Sequence, residues 1–342
     1  MKVPTERSCI GLDIGTSRLV VARKAPDGFE YNSQLNAFVT IPYSKMAEAS
    51  LRREGVLFSR DNDEIVVHGN ESARFADLLQ TETRRPMTGG VLNSAEPEGA
   101  TRLKQLIQSL TKDDREASRV YFTVPAAPLG AEESLTYHEA TLKQIFGSLG
   151  YRATPINEGL AVIYSELEST NYTGIGISCG GGLVNICLAY LSVPVLSFSI
   201  PKGGDFIDES TASVTGELAT RVRIAKEESF HFNGTLREKL HQVLAVYYDD
   251  MIRAIANGLQ QAFTGARNIP KLVRPIPLVL GGGSAMPRGF RERFEKLLGE
   301  VEFPINLSEI RIADQPLYCG AKGALVAALA DTDEPVAAAA TA

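Results

Sequence analysis

GLDIGTSRLVVA at residues 11–22 and GISCGGGLVNICLA at residues 176–189 are two copies of one pattern, about half a chain apart. Each copy is an apolar strand, a turn rich in Gly, Ser or Thr, and a second apolar strand. Glycine lets the backbone approach a ligand closely, so two such hairpins that face each other can hold a polyphosphate between their N–H groups. The first copy carries Asp13 before its turn, where a carboxylate can hold a hydrated Mg²⁺, and the second has Ser178 at the matching position.

The composition is that of an ordinary globular protein with two domains or one large α/β unit: 342 residues, 44% hydrophobic and 22% charged. The net charge of −6 argues against a general nucleic-acid partner, since no basic face is available to displace counterions. The N-terminus lacks the apolar segment of a signal peptide, and no run reaches the ~20 apolar residues of a transmembrane segment. The four cysteines form no CxxC pair, which favours buried thiols in a cytoplasmic protein.

The first half of the chain, at 1–155, is predicted to form one lobe with a small subdomain inserted at about 32–85. Apolar spacing and breaker residues predict its elements. In chain order these are strands at Cys9–Leu12 and Arg18–Arg23, a helix at Glu71–Leu79, a helix at Pro97–Leu110, a strand at Arg119–Pro125 and a helix at Tyr137–Leu149.

The second half, at 156–319, repeats this plan with a mostly helical insertion at about 204–272. Its predicted elements are strands at 174–178, 183–191 and 276–280, a helix at about Met286–Leu298, and a last helix at 320–330 that is rich in Ala and Gly and packs back on the first lobe. Residues 331–342 have nothing to pack and are predicted to be a disordered tail. A duplicated α/β unit implies two lobes with a cleft, and ligands of open α/β sheets bind at the carboxyl ends of the strands.

Each glycine turn has a simpler interpretation when it is taken alone. Gly15-Thr16-Ser17 and Gly180-Gly181-Gly182 could be plain hairpin turns, and Gly281–Ser284 could be only a strand-to-helix connection. Three glycines cost more conformational entropy than one turn requires, which favours close approach to a ligand. Asp13 on an apolar strand is more informative, because a buried carboxylate needs a metal, a cation or several donors.

Taken together, seven motifs carry a resemblance to a known family. They are DIGTS at 13–17, RPMTGGVL at 85–92, INEGLA at 156–161, GGDFIDE at 203–209, VRIAKEE at 222–228, GGGS at 281–284 and YCGAKGA at 318–324. With these motifs the chain resembles the actin/Hsp70/sugar-kinase superfamily and, within it, the bacterial actin homologues of the MreB and MamK type. The resemblance implies a duplicated actin-like ATPase fold, with two lobes and four subdomains around a nucleotide cleft.

The resemblance also implies ATP or ADP with Mg²⁺ as the cofactor and assigns a role to each motif. Asp13 would hold Mg²⁺ through water, and Glu158 stands where bacterial actins orient the attacking water. A glutamate at a helix start is also favoured by the helix dipole alone, so the catalytic role of Glu158 depends on the motif around it. The residues that the resemblance places on the nucleotide are Gly15, Thr16, Ser17, Gly180, Gly181, Gly182, Gly204, Arg223, Lys226, Glu227, Gly282, Gly283 and Ser284.

The second phosphate motif, at residues 178–183, differs from the usual motif of the family at two positions. Relatives usually carry Asp at the position of Ser178 and Thr at the position of Leu183. Loss of a supporting carboxylate costs about 10- to 100-fold in metal affinity or activity. We therefore expect nucleotide binding to survive, because backbone N–H groups and Asp13 carry it, and hydrolysis to be slow.

Three functions are compatible with these residues. The first is a polymerising MreB- or MamK-like filament subunit with weak ATPase activity, since actin-type subunits stack by a contact that does not close on itself. The second is a non-filamentous, nucleotide-gated adaptor that binds an unknown protein partner, which Ser178 and Leu183 favour. The third is a small-molecule kinase, which would need a second carboxylate as base and usually a longer chain.

Overall fold

The protein folds as two α/β lobes, each built on a five-stranded sheet. The computed structural model describes residues 9–114, 117–130, 135–233, 236, 238–266, 269–270, 272 and 274–333. In the first half the elements are β1 (Cys9–Ile14), β2 (Arg18–Ala25), β3 (Gly28–Leu35), β4 (Phe38–Pro42), α1 (Lys45–Arg53), β5 (Phe58–Asp61), β6 (Glu64–His68), α2 (Asn70–Leu79), β7 (Met87–Thr88), β8 (Val91–Leu92), α3 (Gly99–Leu110), β9 (Arg119–Val124), α4 (Thr136–Ser148) and β10 (Arg152–Asn157). In the second half they are α5 (Glu158–Glu166), β11 (Gly174–Cys179), β12 (Val184–Tyr190), β13 (Val193–Ile200), α6 (Gly204–Thr215), α7 (Ala219–Glu228), α8 (Lys239–Gly265), β14 (Ile276–Gly281), α9 (Phe290–Leu298), β15 (Leu307–Ile312) and α10 (Cys319–Asp333).

The two large sheets have the same topology. The first has the strand order β10-β9-β1-β2-β3, and the second has β15-β14-β11-β12-β13. In each sheet an antiparallel hairpin, β1–β2 or β11–β12, lies beside parallel strands. The duplication predicted from the two glycine hairpins is therefore present in the whole sheet.

Each lobe carries an insertion. In lobe I, β4, β6 and β5 form a three-stranded sheet with α1 and α2 around a small apolar core of its own. In lobe II, α6, α7 and α8 follow β13, and α8 buries Tyr248 against the aromatic side chains of Phe230 and Phe290. The insertions extend from the same end of both sheets as the glycine turns, so they stand on the two sides of the cleft.

The helices α5 and α10 lie between the sheets, and they pack unusually closely. A Cβ atom on Gly323 of α10 would overlap the backbone of Ala161 of α5. A Cβ on Gly159 would lie 2.7 Å from the backbone N of Cys187 on β12. Gly159, which stands next to the predicted catalytic Glu158, is thus required for the approach of α5 to lobe II. The start of α5 is nevertheless capped, because Asn157 Oδ1 accepts from Leu160 N at 3.1 Å.

Two boundaries differ from the sequence-based prediction by three residues or more, and the other predicted boundaries differ by two residues at most. The helix expected from Met286 begins only at Phe290, because Gly283–Ala285 forms a 3-10 turn and Gly289 adopts a left-handed conformation. The last helix continues to Asp333, so residues 331–333 are helical rather than part of a disordered tail. The rest of the predicted tail lies outside the described residues. In the described part of the chain, no helix combines the length and the apolar character needed to cross a membrane.

Candidate functional site

The two glycine turns have the same backbone geometry. The first phosphate loop (residues 15–17) connects β1 to β2, and the second (residues 180–183) connects β11 to β12. In the first, Gly15 N donates to Arg18 O at 3.0 Å, and in the second, Gly180 N donates to Leu183 O at 3.0 Å. The identical closing hydrogen bond follows from the identical strand–turn–strand pattern.

The two phosphate loops face each other across the cleft. A Cβ atom on Gly181 would overlap the side chain of Ser17, and one on Gly182 would lie 2.5 Å from Thr16 Oγ1. Glycine is therefore needed at both positions because the opposite loop comes so near. The structure brings together Gly15, Thr16 and Ser17 with Gly180, Gly181 and Gly182, the six residues predicted to hold phosphates.

Asp13 lies at the end of β1, beneath the loops. Its Oδ1 accepts a hydrogen bond from Thr123 Oγ1 at 2.6 Å, and the same hydroxyl accepts from Ile14 N at 3.0 Å. Burial raises the pKa of the Asp13 carboxyl, and the hydrogen bond from Thr123 opposes that rise. Among the described residues no Lys or Arg forms an ion pair with Asp13. A carboxylate in this position is suited to a hydrated divalent cation.

Glu158 is held at the first position of α5 and is 9% exposed. Its Oε2 accepts from Asn185 Nδ2 at 2.9 Å and from Ser178 Oγ at 3.4 Å. Asn185 is fixed in turn, because its Oδ1 accepts from Ala126 N at 2.8 Å. Burial, followed by the negative charge of Asp13, raises the pKa of Glu158 to about 8.

In the structure Ser178 makes a contact that could not be predicted from the sequence. Ser178 and Asn185 are directly opposite each other on β11 and β12, and both donate to the same oxygen of Glu158. An aspartate at position 178 would place another carboxylate beside the buried Glu158. The serine therefore supplies a donor to Glu158 where an acid would repel it.

Leu183 packs where relatives carry a threonine. The β7–β8 hairpin turns at Gly89 and Gly90, and a Cβ on Gly90 would lie 2.5 Å from Leu183 Cδ1. Gly90 N donates to Thr16 Oγ1 at 2.9 Å. The RPMTGGVL motif thus closes over both phosphate loops, and Leu183 forms part of that closure.

The predicted adenosine residues line the lobe II side of the cleft. At the start of α6, Gly204 N donates to Gly180 O at 2.9 Å, and Ser284 Oγ donates to the same carbonyl at 3.2 Å. Lys226 Nζ donates to Gly204 O at 3.0 Å and to Asp208 at 2.8 Å, so its charge is already paired. Gly282 adopts a left-handed φ of 86° and leads into Gly283. The nearest atom to a Cβ on Gly283 would be Leu317 Cδ1 at 3.7 Å, which leaves that face open.

Two ion pairs join the lobes beside the first phosphate loop. Arg18 Nη2 lies 2.8 Å from Glu227 Oε2, and Arg85 Nη1 lies 2.5 Å from Asp205 Oδ1 and 3.1 Å from Ser17 Oγ. Arg223 is 4% exposed, and burial lowers the pKa of its guanidinium. Its Nη1 lies 3.8 Å from Glu227.

Sequence reasoning missed several of these residues. The roles of Arg18, Thr123 and Asn185 carry no motif signal of their own, because each depends on a partner far away along the chain. The RPMTGGVL and GGDFIDE motifs include Arg85 and Asp205, although neither motif predicts that these two residues pair. A groove of about 1070 Å³ lies elsewhere, between the small subdomain and α3, and none of the predicted site residues lines it.

The site combines the partly buried carboxylate of Asp13, which has no Lys or Arg partner among the described residues, with the carboxylate of Glu158, which is held by two donors. The described residues contain no cluster of three or more His, Cys, Asp or Glu side chains that could hold a metal ion by themselves. A Mg²⁺ here would depend on Asp13, water and ligand oxygens, which is the usual arrangement where Mg²⁺ binds with phosphates.

The sequence also matches a known family. The profile of the Volactin family matches residues 9–328. The chain belongs to the Volactin family. No curated protein matches the sequence of this Volactin-family chain.

Solved structures share its fold. MamK in a double helical filament superposes with a TM-score of 0.65 at 20% identity, covering 94% of this chain and 98% of MamK. MreB5 of Spiroplasma citri bound to ADP gives 0.62 at 15% identity, with 95% and 97% covered. The ethanolamine utilization protein EutJ from Carboxydothermus hydrogenoformans gives 0.57 at 15% identity, with 93% and 88% covered. The Volactin-family chain therefore has the actin-like two-lobe fold, and the fold predicted from the motifs is confirmed.

Proposed function

We propose that this Volactin-family chain is a cytoskeletal ATP-binding protein that polymerises into filaments and hydrolyses ATP slowly. The observation that carries the proposal is the pair of equivalent phosphate loops facing each other above Asp13. The similarity to MreB5, whose structure contains ADP, supports a nucleotide in the same cleft.

The residues of the cleft fit Mg-ATP. The partly buried Asp13 carboxyl has no cationic partner among the described side chains, and a hydrated Mg²⁺ would provide one. The glycines of both loops let the two loops approach each other closely, and the open face of Gly283 leaves room for a base. Arg18 and Arg85 lie beside the first loop and would offer positive charge to a polyphosphate that displaced their partners Glu227 and Asp205.

Glu158 is the residue that we expect to orient water for hydrolysis. Bound ATP would supply the phosphoanhydride bond to be cleaved. Asn185 and Ser178 hold one oxygen of Glu158, which leaves Oε1 for a water molecule. A carboxyl whose pKa is about 8 is mostly protonated at neutral pH, and a protonated carboxyl is a poor general base. Slow turnover follows from this burial as well as from the missing carboxylate at position 178.

Self-association is supported by the likeness to the MamK filament and by an exposed apolar surface. At the tip of the β12–β13 hairpin, Leu191 is 50% and Val193 is 63% exposed. Leu191 also has a φ of 50°, a conformation that is uncommon for a residue other than Gly, Asn or Asp. An apolar residue kept in such a turn fits a subunit contact better than a solvated loop. We place the protein in the cytoplasm, since its four cysteines are buried and unpaired.

The non-filamentous adaptor remains the second candidate. The contact of Leu183 with the Gly89–Gly90 turn favours the adaptor function. An apolar side chain that covers the phosphate loops is suited to a protein that binds nucleotide without rapid turnover. A small-molecule kinase has less support, because Ser178 offers no second carboxylate as base.

Sedimentation and electron microscopy separate the two candidates. The purified protein is incubated with Mg-ATP, with Mg-ADP or without nucleotide, then centrifuged and imaged by negative stain. We expect filaments and a pellet that depends on ATP. Binding of ATP by calorimetry without any pellet would support the adaptor, and absence of binding would refute the nucleotide site itself.

A further inference from the structure

The helix α7 begins without a cap from its own segment. Leu218, the residue before it, offers no side-chain acceptor, and the first turn contains no acidic residue. The first N–H groups of a helix lack partners within the helix and carry partial positive charge. An acceptor from elsewhere in the molecule is therefore needed.

Glu82, in the segment that follows α2 of the other lobe, provides this acceptor. Ala219 N donates to Glu82 Oε1 at 2.7 Å, and Thr220 N donates to Glu82 Oε2 at 3.0 Å. The hydroxyl of Thr220, a residue that is 6% exposed, also donates to Glu82 Oε2. One carboxylate of lobe I thus receives three hydrogen bonds from a helix of lobe II.

The next residue of α7 strengthens the same contact. Arg221 Nη2 donates to Gln80 Oε1 at 2.7 Å, and Arg221 Nε lies 3.2 Å from Asp77 Oδ1. We call Glu82, Asp77 and Gln80 with Thr220 and Arg221 the α7 clasp. It joins the two inserted subdomains on opposite sides of the cleft.

The other end of α7 reaches the proposed nucleotide site. Arg223, Lys226 and Glu227 lie on this half of the helix, and Glu227 pairs with Arg18 next to the first phosphate loop. The helix is therefore attached to lobe I at both ends. A displacement of its first turn moves the residues that border the proposed adenosine site.

We propose that Glu82 is a positioning residue for the nucleotide, because its carboxylate fixes α7 against lobe I and slows nucleotide release. This inference rests on the proposed nucleotide site. Release requires the lobes to separate, and separation removes the acceptor from Ala219 and Thr220 and the partners from Arg221. The N–H groups of the first turn then face water, while Glu82 loses three donors at once.

The test compares Glu82→Ala, Glu82→Gln and Arg221→Ala with the wild-type chain. Glu71→Ala is the matched control, because Glu71 is a glutamate of the same subdomain whose one ion pair within the described residues is with Arg74 of its own helix. Two quantities are measured: the dissociation rate of a fluorescent ATP analogue chased with ATP, and hydrogen exchange of the first turn of α7 without nucleotide. Circular dichroism verifies that each variant is folded.

We expect Glu82→Ala to raise the dissociation rate about fivefold, the factor that corresponds to the loss of one helix cap, and to speed exchange at residues 219 and 220. Glu82→Gln, which keeps an acceptor but not the charge, should lie between Glu82→Ala and wild type. Glu71→Ala should change neither quantity. Faster exchange with an unchanged dissociation rate would show that the clasp exists but does not position the nucleotide, which overturns the inference alone. If the wild-type chain binds no nucleotide, the proposed function fails and the inference fails with it.

Discussion

Replacement of Glu158 by glutamine should make the protein more stable at alkaline pH and leave it unchanged in acid. Glu158 is buried beside Asp13, and its pKa is raised from 4.5 to about 8. Glutamine has nearly the same shape and keeps an oxygen that can accept from Asn185, so Glu158→Gln removes the charge with little change in packing.

The sign follows from proton linkage. Between about pH 4.5 and about pH 8, the unfolded chain has lost the Glu158 proton while the folded protein still holds it, so the free energy of unfolding falls as pH rises. A shift of about 3.5 units, at about 1.4 kcal/mol per unit, gives a ceiling of about 5 kcal/mol for this loss at about pH 8. The pKa of Asp13 is also raised by burial, so Asp13 makes the free energy of unfolding fall with rising pH as well. The Glu158→Gln variant therefore keeps a smaller dependence of its free energy of unfolding on pH.

Urea unfolding measures the effect. Wild type, Glu158→Gln and the control Glu168→Gln, which alters an exposed glutamate, are unfolded at about pH 5, 6.5 and 8 in buffer with a chelator and without nucleotide. The wild-type and Glu158→Gln curves should agree at the lowest pH and separate by several kcal/mol at the highest. Parallel pH dependence of wild type and Glu158→Gln would refute the burial of Glu158 beside Asp13.

Three further predictions test other parts of the molecule. Asp13→Ala should weaken Mg-ATP binding about 10- to 100-fold in calorimetry, and Ser178→Ala much less; the reverse order would contradict Asp13 as the metal ligand. Ser178→Asp should lower the melting temperature most at about pH 8, because it adds a carboxylate beside Glu158; an equal effect at about pH 5 would point to packing instead. Leu191→Lys should raise the critical concentration for ATP-dependent pelleting about tenfold or more with nucleotide binding intact, and unaltered pelleting would exclude the hairpin tip from the subunit contact.

Much of the fold could be predicted from the sequence, because its signals are local. Alternating or continuous apolar runs mark β1, β2, β11 and β12, and the glycines between them mark the turns. The repeat of that pattern is sufficient to predict two sheets of equal topology. Helix starts were less predictable: α9 begins at Phe290 because the backbone first makes a 3-10 turn after Gly282.

The glycines of the candidate site and the carboxylate of Asp13 could be predicted from the sequence. The side chains that form hydrogen bonds with the site residues were harder to predict. The sequence indicates that Ser178 replaces an acidic residue, and from the sequence alone this substitution means only that a supporting carboxylate is missing. The structure adds that Ser178 and Asn185 lie opposite each other on β11 and β12 and share Glu158 as acceptor. That arrangement depends on the contact of α5 with the second sheet, which the close approach at Gly159 permits.

The sequence by itself determined the duplicated strand–turn–strand units and the placement of Asp13 before the first turn, because each depends only on neighbouring residues. Tertiary structure alone decided which charges meet across the cleft. Arg18 and Glu227 are 209 residues apart in sequence, and Glu82 and Ala219 are 137 apart. No local preference of the chain favours either pair. Both contacts exist because the two sheets, held together by α5 and α10, bring α7 of lobe II to within hydrogen-bonding distance of β2 and of the inserted subdomain of lobe I.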